Sequence, residues 1–154
     1  MHCSVDVLAR QSTAVDNGKA TATFVIAPDC AVGTHAIRAR TKTGVSNLQL
    51  FSVGNLKEIN ETEPNNVREQ AVAVGINQTV NGRINGGADI DWFKFNAKAG
   101  QRLLVNCTAR RLDSRLDAAL ELYSAAGKRL DFVRRNLVSL DPLLDVLVPA
   151  DGDY

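Results

Sequence analysis

Thr34-His35-Ala36-Ile37-Arg38-Ala39-Arg40-Thr41 alternates small or apolar residues with polar ones and stops at Thr43-Gly44. Ser46-Asn47-Leu48-Gln49-Leu50-Phe51-Ser52-Val53 alternates again and stops at Gly54. A period of two sends successive side chains to opposite faces, the signature of a half-buried strand. Lys19-Ala20-Thr21-Ala22-Thr23-Phe24-Val25-Ile26 is rich in β-formers and ends at Pro28-Asp29. With Ser4 to Leu8, these runs give four short strands separated by turn residues, which reads as a β-sandwich.

The same rhythm continues after a break. Asn55 to Asn66 is polar and acidic, carries Pro64, and reads as a linker. Val67, Ala71 and Val74 have the spacing of one or two helical turns. Strand-like runs follow at 79–84, 91–96, 102–109, 118–123, 129–133 and 143–148, with turn signals at Asn85-Gly86-Gly87, Ala99-Gly100 and Ala126-Gly127. Strands at roughly ten-residue spacing read as a second antiparallel sandwich. Alanine and leucine favour helix over 112–130. The Leu120, Leu122 alternation and Gly127 in a hairpin position weigh toward strand. The expected class is all-β, in antiparallel sandwiches, with domains at 1–54 and 67–154 joined by a linker at 55–66.

Composition narrows the function classes. The chain has 154 residues, 45% hydrophobic and 23% charged, with a formal net charge of +1. No bulk field draws it to nucleic acid or an anionic membrane. No apolar run approaches the ~20 residues that cross a bilayer. Met1-His2-Cys3-Ser4-Val5-Asp6-Val7 lacks the basic and apolar regions of a signal peptide and already alternates like a strand. The last residues, Asp151-Gly152-Asp153-Tyr154, read as a turn that should feed another strand, so both ends read as those of a fragment. Cys3, Cys30 and Cys107 are an odd number at wide spacing, which excludes a paired-cysteine metal clamp. Spacing does not decide whether Cys3 and Cys30 pair. Cys107 alternates with apolar positions as a small core residue would.

Catalytic patterns are missing. The chain has no nucleophile elbow, phosphate loop or HExxH. Asp113, Asp117, Asp131, Asp141 and Asp145 are scattered turn aspartates without the fixed cleft that a carboxylate pair needs. The expectation is a non-enzymatic chain. Arg110-Arg111 and Arg134-Arg135 read as solvated strand ends.

Two acidic stretches stand apart. Glu61-Thr62-Glu63-Pro64-Asn65-Asn66 and Asp89-Ile90-Asp91-Trp92-Phe93-Lys94-Phe95 each place two carboxylates at i and i+2. In extended backbone that spacing points both to one face. Carboxylates and amide carbonyls are the hard oxygen donors that calcium takes six to eight at a time. In the second stretch Phe93 and Phe95 share one face, as core residues. Trp92, on the other face, reads as packed rather than as an exposed anchor.

These stretches, with Thr79-Val80-Asn81-Gly82-Arg83-Ile84, the turn Ala97-Lys98-Ala99-Gly100-Gln101, and Leu116-Asp117 to Leu122 with Gly127, resemble the bacterial pre-peptidase C-terminal domain. The resemblance covers about residues 58–154, without that family's final strands. It implies a jelly-roll-like sandwich of an exported protein, calcium as cofactor, and Glu61, Glu63, Asn65, Asn66, Asp89 and Asp91 as ligands, with a carbonyl near Gly87. The chain departs from the family in having Asn66 where an aspartate is common, and Gly86-Gly87-Ala88 where acidic or hydroxyl residues are common. Fewer carboxylates weaken calcium binding. Gly33 to Asn47 is similar to the end of an immunoglobulin-like domain of the IPT or TIG kind.

Together the resemblances imply a binding or spacer module of a larger exported bacterial protein, located outside the cell, on its surface or in the periplasm. Its partners would be an extracellular protein or polysaccharide, or other domains of the same parent chain, with no nucleic acid and no membrane insertion. The alternative is an accessory domain of a secreted peptidase that aids secretion or docks a collagen-like protein or polysaccharide.

Overall fold

In the computed structural model, residues 8–9, 14–16 and 19–21 are described as backbone, and residues 23–87, 89–135 and 139–154 in full. The protein is all-β and divides into two compact units, Met1–Asn55 and Leu56–Tyr154. No helix among the described residues is long and apolar enough to cross a membrane.

The first unit holds β1 (Leu8–Ala9), β2 (Ala14–Asp16), β3 (Lys19–Thr21), β4 (Phe24–Val25), β5 (Gly33–Ile37) and β6 (Gln49–Val53). The pairs β1–β4, β2–β3 and β5–β6 are all antiparallel. In β5 burial alternates residue by residue as the sequence implies, and in β6 the half-buried neighbours Leu50 and Phe51 break the alternation. His35 lies opposite Phe51 and Gly33 opposite Val53; these four, with Ile37 and Leu50, are half-buried, while Thr34, Ala36, Gln49 and Ser52 are exposed. The strand expected at Ser4–Leu8 falls, apart from Leu8, outside the described residues, as does Cys3 and with it any pairing to Cys30.

The second unit holds β7 (Lys57–Asn60), β8 (Val72–Ala73), β9 (Gln78–Asn81), β10 (Phe93–Lys94), β11 (Asn96–Ala97), β12 (Arg102–Asn106), β13 (Leu120–Tyr123), β14 (Arg129–Val133), β15 (Leu143–Leu147) and β16 (Gly152–Asp153). Strands β12 and β15 pair antiparallel over five residues. Leu103 faces Val146 and Val105 faces Leu144 on the inner side, leaving Arg102, Leu104, Asn106, Leu143, Asp145 and Leu147 outside. The inner residues meet Leu122, Ala97 and Val148 in the core, with Phe95, Leu120, Leu130 and Tyr154 packed against it. Leu144 is 1% exposed. Burying such a side chain contributes ~1.5–3 kcal/mol, so this sandwich-like core carries the unit.

The hairpin β13–β14 confirms strand over helix for this stretch. Its turn ends at Gly127, whose φ of +81° suits glycine. Arg68 holds that turn from outside, donating to the carbonyls of Ser124 and Ala125.

Three expectations need correction. The proposed linker is not all linker, because Lys57–Asn60 forms β7 inside the second unit. The apolar spacing at Val67–Val74 yields only a 3-10 turn at Arg68–Gln70, followed by β8. The pairing is not wholly antiparallel: β7 runs parallel to β9, and β8 parallel to β10. These two parallel pairs interleave along the chain. The segment from Glu61 to Asn66 lies in the connection from β7 to β9, and Asp89 to Asp91 in the connection from β8 to β10.

The scattered basic and acidic residues are tied to one another. Arg134 and Arg135 both pair with Asp117, and Arg102 with Asp145. Asp141 is 2% exposed and accepts the backbone N–H groups of Arg110 (2.7 Å) and Arg111 (3.0 Å) and the Arg111 Nε–H (3.2 Å). Burial opposes its charge, but these donors win and hold its carboxyl below the usual range. Cys107, half-buried, has its thiol pushed up by burial and by Asp141, as expected of a packed and unreactive cysteine.

Candidate metal centre

The acidic segment leaves β7 at Asn60 and stays pinned to β9, because the Glu61 N–H donates to the Asn81 carbonyl at 3.1 Å. The Glu61 carboxylate turns back over Gly82. One oxygen accepts the Arg83 N–H, and the other is buried without a hydrogen-bond partner. A Cβ at Gly82 would stand 3.1 Å from that second oxygen, so glycine makes room for the carboxylate.

Two residues on, Glu63 organises the turn. Its carboxylate accepts the Asn65 N–H at 3.1 Å and the side-chain amide of Asn85. Asn65 is fully buried, and its carbonyl accepts the Trp92 N–H at 2.9 Å. That bond fastens the first acidic segment to the second. Trp92 packs on Tyr123 with ring centroids 5.3 Å apart, the packed outcome expected from the sequence. Asp89 accepts the Asn85 N–H. Asn85 therefore orients both Glu63 and Asp89, a role that nothing in the sequence marks beyond its place in an Asn-Gly-Gly turn.

Oxygens of Glu63, Asp89 and Asp91 lie within 4.8 Å of one another. Burial raises the Asp91 carboxyl from 3.8 to about 6, and the charges of Glu61, Asp89 and Glu63 add to the rise. The Asn65 amide leans toward Asp91 and partly offsets this. Yet neither Asn65 Oδ1 nor Nδ2 reaches hydrogen-bond geometry with a protein group, and one Asp91 oxygen is likewise buried and unpartnered. Buried polar atoms left unpaired cost ~1–3 kcal/mol each. A cation among these oxygens answers both the mutual repulsion and the missing partners. The donors are all oxygen, with no cysteine or histidine in the cluster, which suits calcium or magnesium rather than zinc.

The six expected ligands thus separate. Glu63, Asp89 and Asp91 form the cluster, and Asn65 stands beside it with its amide uncommitted. Glu61 contributes charge from one step back and is half engaged by the Arg83 N–H. Asn66 is exposed and lines a shallow pocket with Asn85, Gly86, Asp89 and Ile90. No protein-family model matches the chain, and no curated protein or solved structure matches it either.

Proposed function

We propose that the chain is a non-catalytic, extracellular binding or spacer module whose second unit is stiffened by calcium. The observation that carries this reading is the meeting of Glu63, Asp89 and Asp91 within 4.8 Å beside the buried, unpartnered amide of Asn65. Three carboxylates drawn together without a counter-cation destabilise a fold, whereas an ion converts them into a staple between the β7–β9 and β8–β10 connections. Calcium is the natural choice where such an ion is abundant, which is outside the cell. The resemblance to the pre-peptidase C-terminal domain agrees with this compartment and with adhesion or spacing as the task.

The scattered aspartates give no support to a catalytic reading. Asp117, Asp141 and Asp145 are each held by arginine or backbone donors. The test is a thermal melt in calcium and in chelator, repeated with Asp89→Ala and Glu63→Ala. At a hundredfold excess over its dissociation constant, a ligand stabilises by about 2.7 kcal/mol. A calcium-dependent rise of several degrees that both substitutions abolish supports the reading. A wild-type melt indifferent to calcium refutes it.

A further inference from the structure

Asn85, which holds both Glu63 and Asp89, is followed by glycine. In an asparagine-glycine pair the side-chain amide is open to attack by the next backbone nitrogen, because glycine has no Cβ to block the approach. The chain holds three such pairs, Asn17-Gly18, Asn81-Gly82 and Asn85-Gly86. The first lies outside the described residues.

The structure separates the other two. Asn81 ends β9 and pairs with Asn60, its amide donates to Glu58 at 3.1 Å, and its carbonyl accepts the Glu61 N–H. A Cβ at Gly82 would stand 3.1 Å from a Glu61 oxygen, so the space beside that peptide is filled. Asn85 and Gly86, by contrast, are exposed and lie outside any strand. Among the described residues the Gly86 N–H donates to nothing, and a Cβ there would meet nothing within 4 Å. The side-chain bond of Asn85 runs from its amide nitrogen to Glu63. It holds the nitrogen that would leave and keeps the carbonyl carbon open to attack.

We propose that Asn85 is a site of spontaneous deamidation, which adds a further carboxylate to the acidic cluster and makes the second unit more dependent on a cation. The Gly86 nitrogen gives up its proton and bonds to the side-chain carbonyl carbon of Asn85. The carbon–nitrogen bond of the amide breaks, and ammonia leaves with that proton. Water then opens the cyclic imide at either carbonyl, giving aspartate or isoaspartate. One water is consumed for each ammonia released, and no oxidant or reductant enters. Either product deletes the N–H donor to Glu63 and brings a negative charge to the edge of a cluster in which Glu63, Asp89 and Asp91 already lie within 4.8 Å. Without an ion the repulsion grows; with one, the added charge strengthens its hold. The covalent step is independent of the cation reading above, and its consequence rests on that reading.

Ageing the whole chain in mildly alkaline buffer, followed by trypsin and mass spectrometry, tests the step. Trypsin cuts after Arg68, Arg83 and Lys94, which places Asn81 and Asn85 in separate peptides. The peptide from Ile84 to Lys94 should gain the mass of an amide turned to an acid, and split into aspartate and isoaspartate forms, well before the peptide from Glu69 to Arg83 changes. Asn85→Gln should stop the gain. No gain in the first peptide, or equal rates in the two, would overturn the proposal. Asn85→Asp supplies the aspartate product directly. It should melt below wild type in chelator, and calorimetry should find it binding calcium about tenfold more tightly. An affinity no higher than that of wild type would overturn the link to the cluster. If neither protein binds calcium while Asn85 still deamidates, the calcium reading and the consequence drawn from it both fail, and the modification site stands.

Discussion

Replacing Asp91 by asparagine should stabilise the protein when no cation is present, contrary to the usual result of deleting a half-buried polar charge. Burial and the charges of Glu61, Asp89 and Glu63 raise the Asp91 carboxyl from 3.8 to about 6. Each unit is worth 1.36 kcal/mol, so the ionised form costs at most ~3 kcal/mol at neutral pH. Asp91 remains partly open to water, and screening reduces that to about 1 kcal/mol. Asparagine keeps the shape and removes the charge. For a domain of this size 1 kcal/mol moves the melting point by ~4–8 °C. A melt followed by circular dichroism at neutral pH in chelator should therefore place Asp91→Asn several degrees above wild type. In saturating calcium the order should reverse, because wild type gains about 2.7 kcal/mol at hundredfold excess and the variant gains little. If the variant melts below wild type in chelator, the repulsion argument is wrong and Asp91 is a structural acceptor.

Further outcomes follow from the same structure. Between 3.8 and about 6 the native state holds a proton on Asp91 that the unfolded chain has released, so in chelator stability should fall as pH rises through that window. Asp141 acts with the opposite sign, since its lowered carboxyl contributes stability above the ordinary value that is lost as pH falls through its own. Urea titrations across the acid range should show a maximum between these two, and Asp91→Asn should remove its alkaline flank. Asp141→Ala leaves the Arg110 and Arg111 donors without their acceptor and should cost roughly 3 kcal/mol in a urea melt. Gly127→Ala forces a side chain onto a φ of +81° and places its Cβ 2.7 Å from Arg68 Nη1. A loss of ~1 kcal/mol or more is expected, and an unchanged melting point would show that the turn yields freely.

Strands β12 and β15 were legible as strands, though not as partners, because Leu103 and Val105, and Leu144 and Val146, recur at a period of two. The strand assignment of Leu120–Tyr123 was legible for the same reason, against a helix-favouring composition. Parallel pairing of β7 with β9 was not. Local alternation says which face a strand buries and nothing about which strand lies beside it, so a polar stretch such as Lys57–Asn60 reads as linker. At the site, the two acidic stretches were found by residue type and spacing. Their geometry was not, because the i, i+2 argument assumes a regular strand. The chain from Glu61 to Asn66 is irregular, which sends Glu63 into the cluster and Glu61 toward Arg83. The burial of Asn65 left no trace in the sequence. An asparagine after proline is ordinarily a turn residue at the surface.

The two interleaved parallel pairs also bear on how this unit assembles. Each joins residues 21 apart, Lys57 with Gln78 and Val72 with Phe93, and neither can form from a simple hairpin. Both loops must be closed, at an entropic cost, before Glu63 can meet Asp89 and Asp91. The carboxylates then come together only once both loops have closed, later than the local β13–β14 hairpin. An interaction formed after the rate-limiting step leaves the rate of folding almost untouched and acts on the rate of escape from the native state. If the acidic cluster closes after that step it is a latch, and an ion bound there would lengthen the lifetime of the folded unit without hastening its birth.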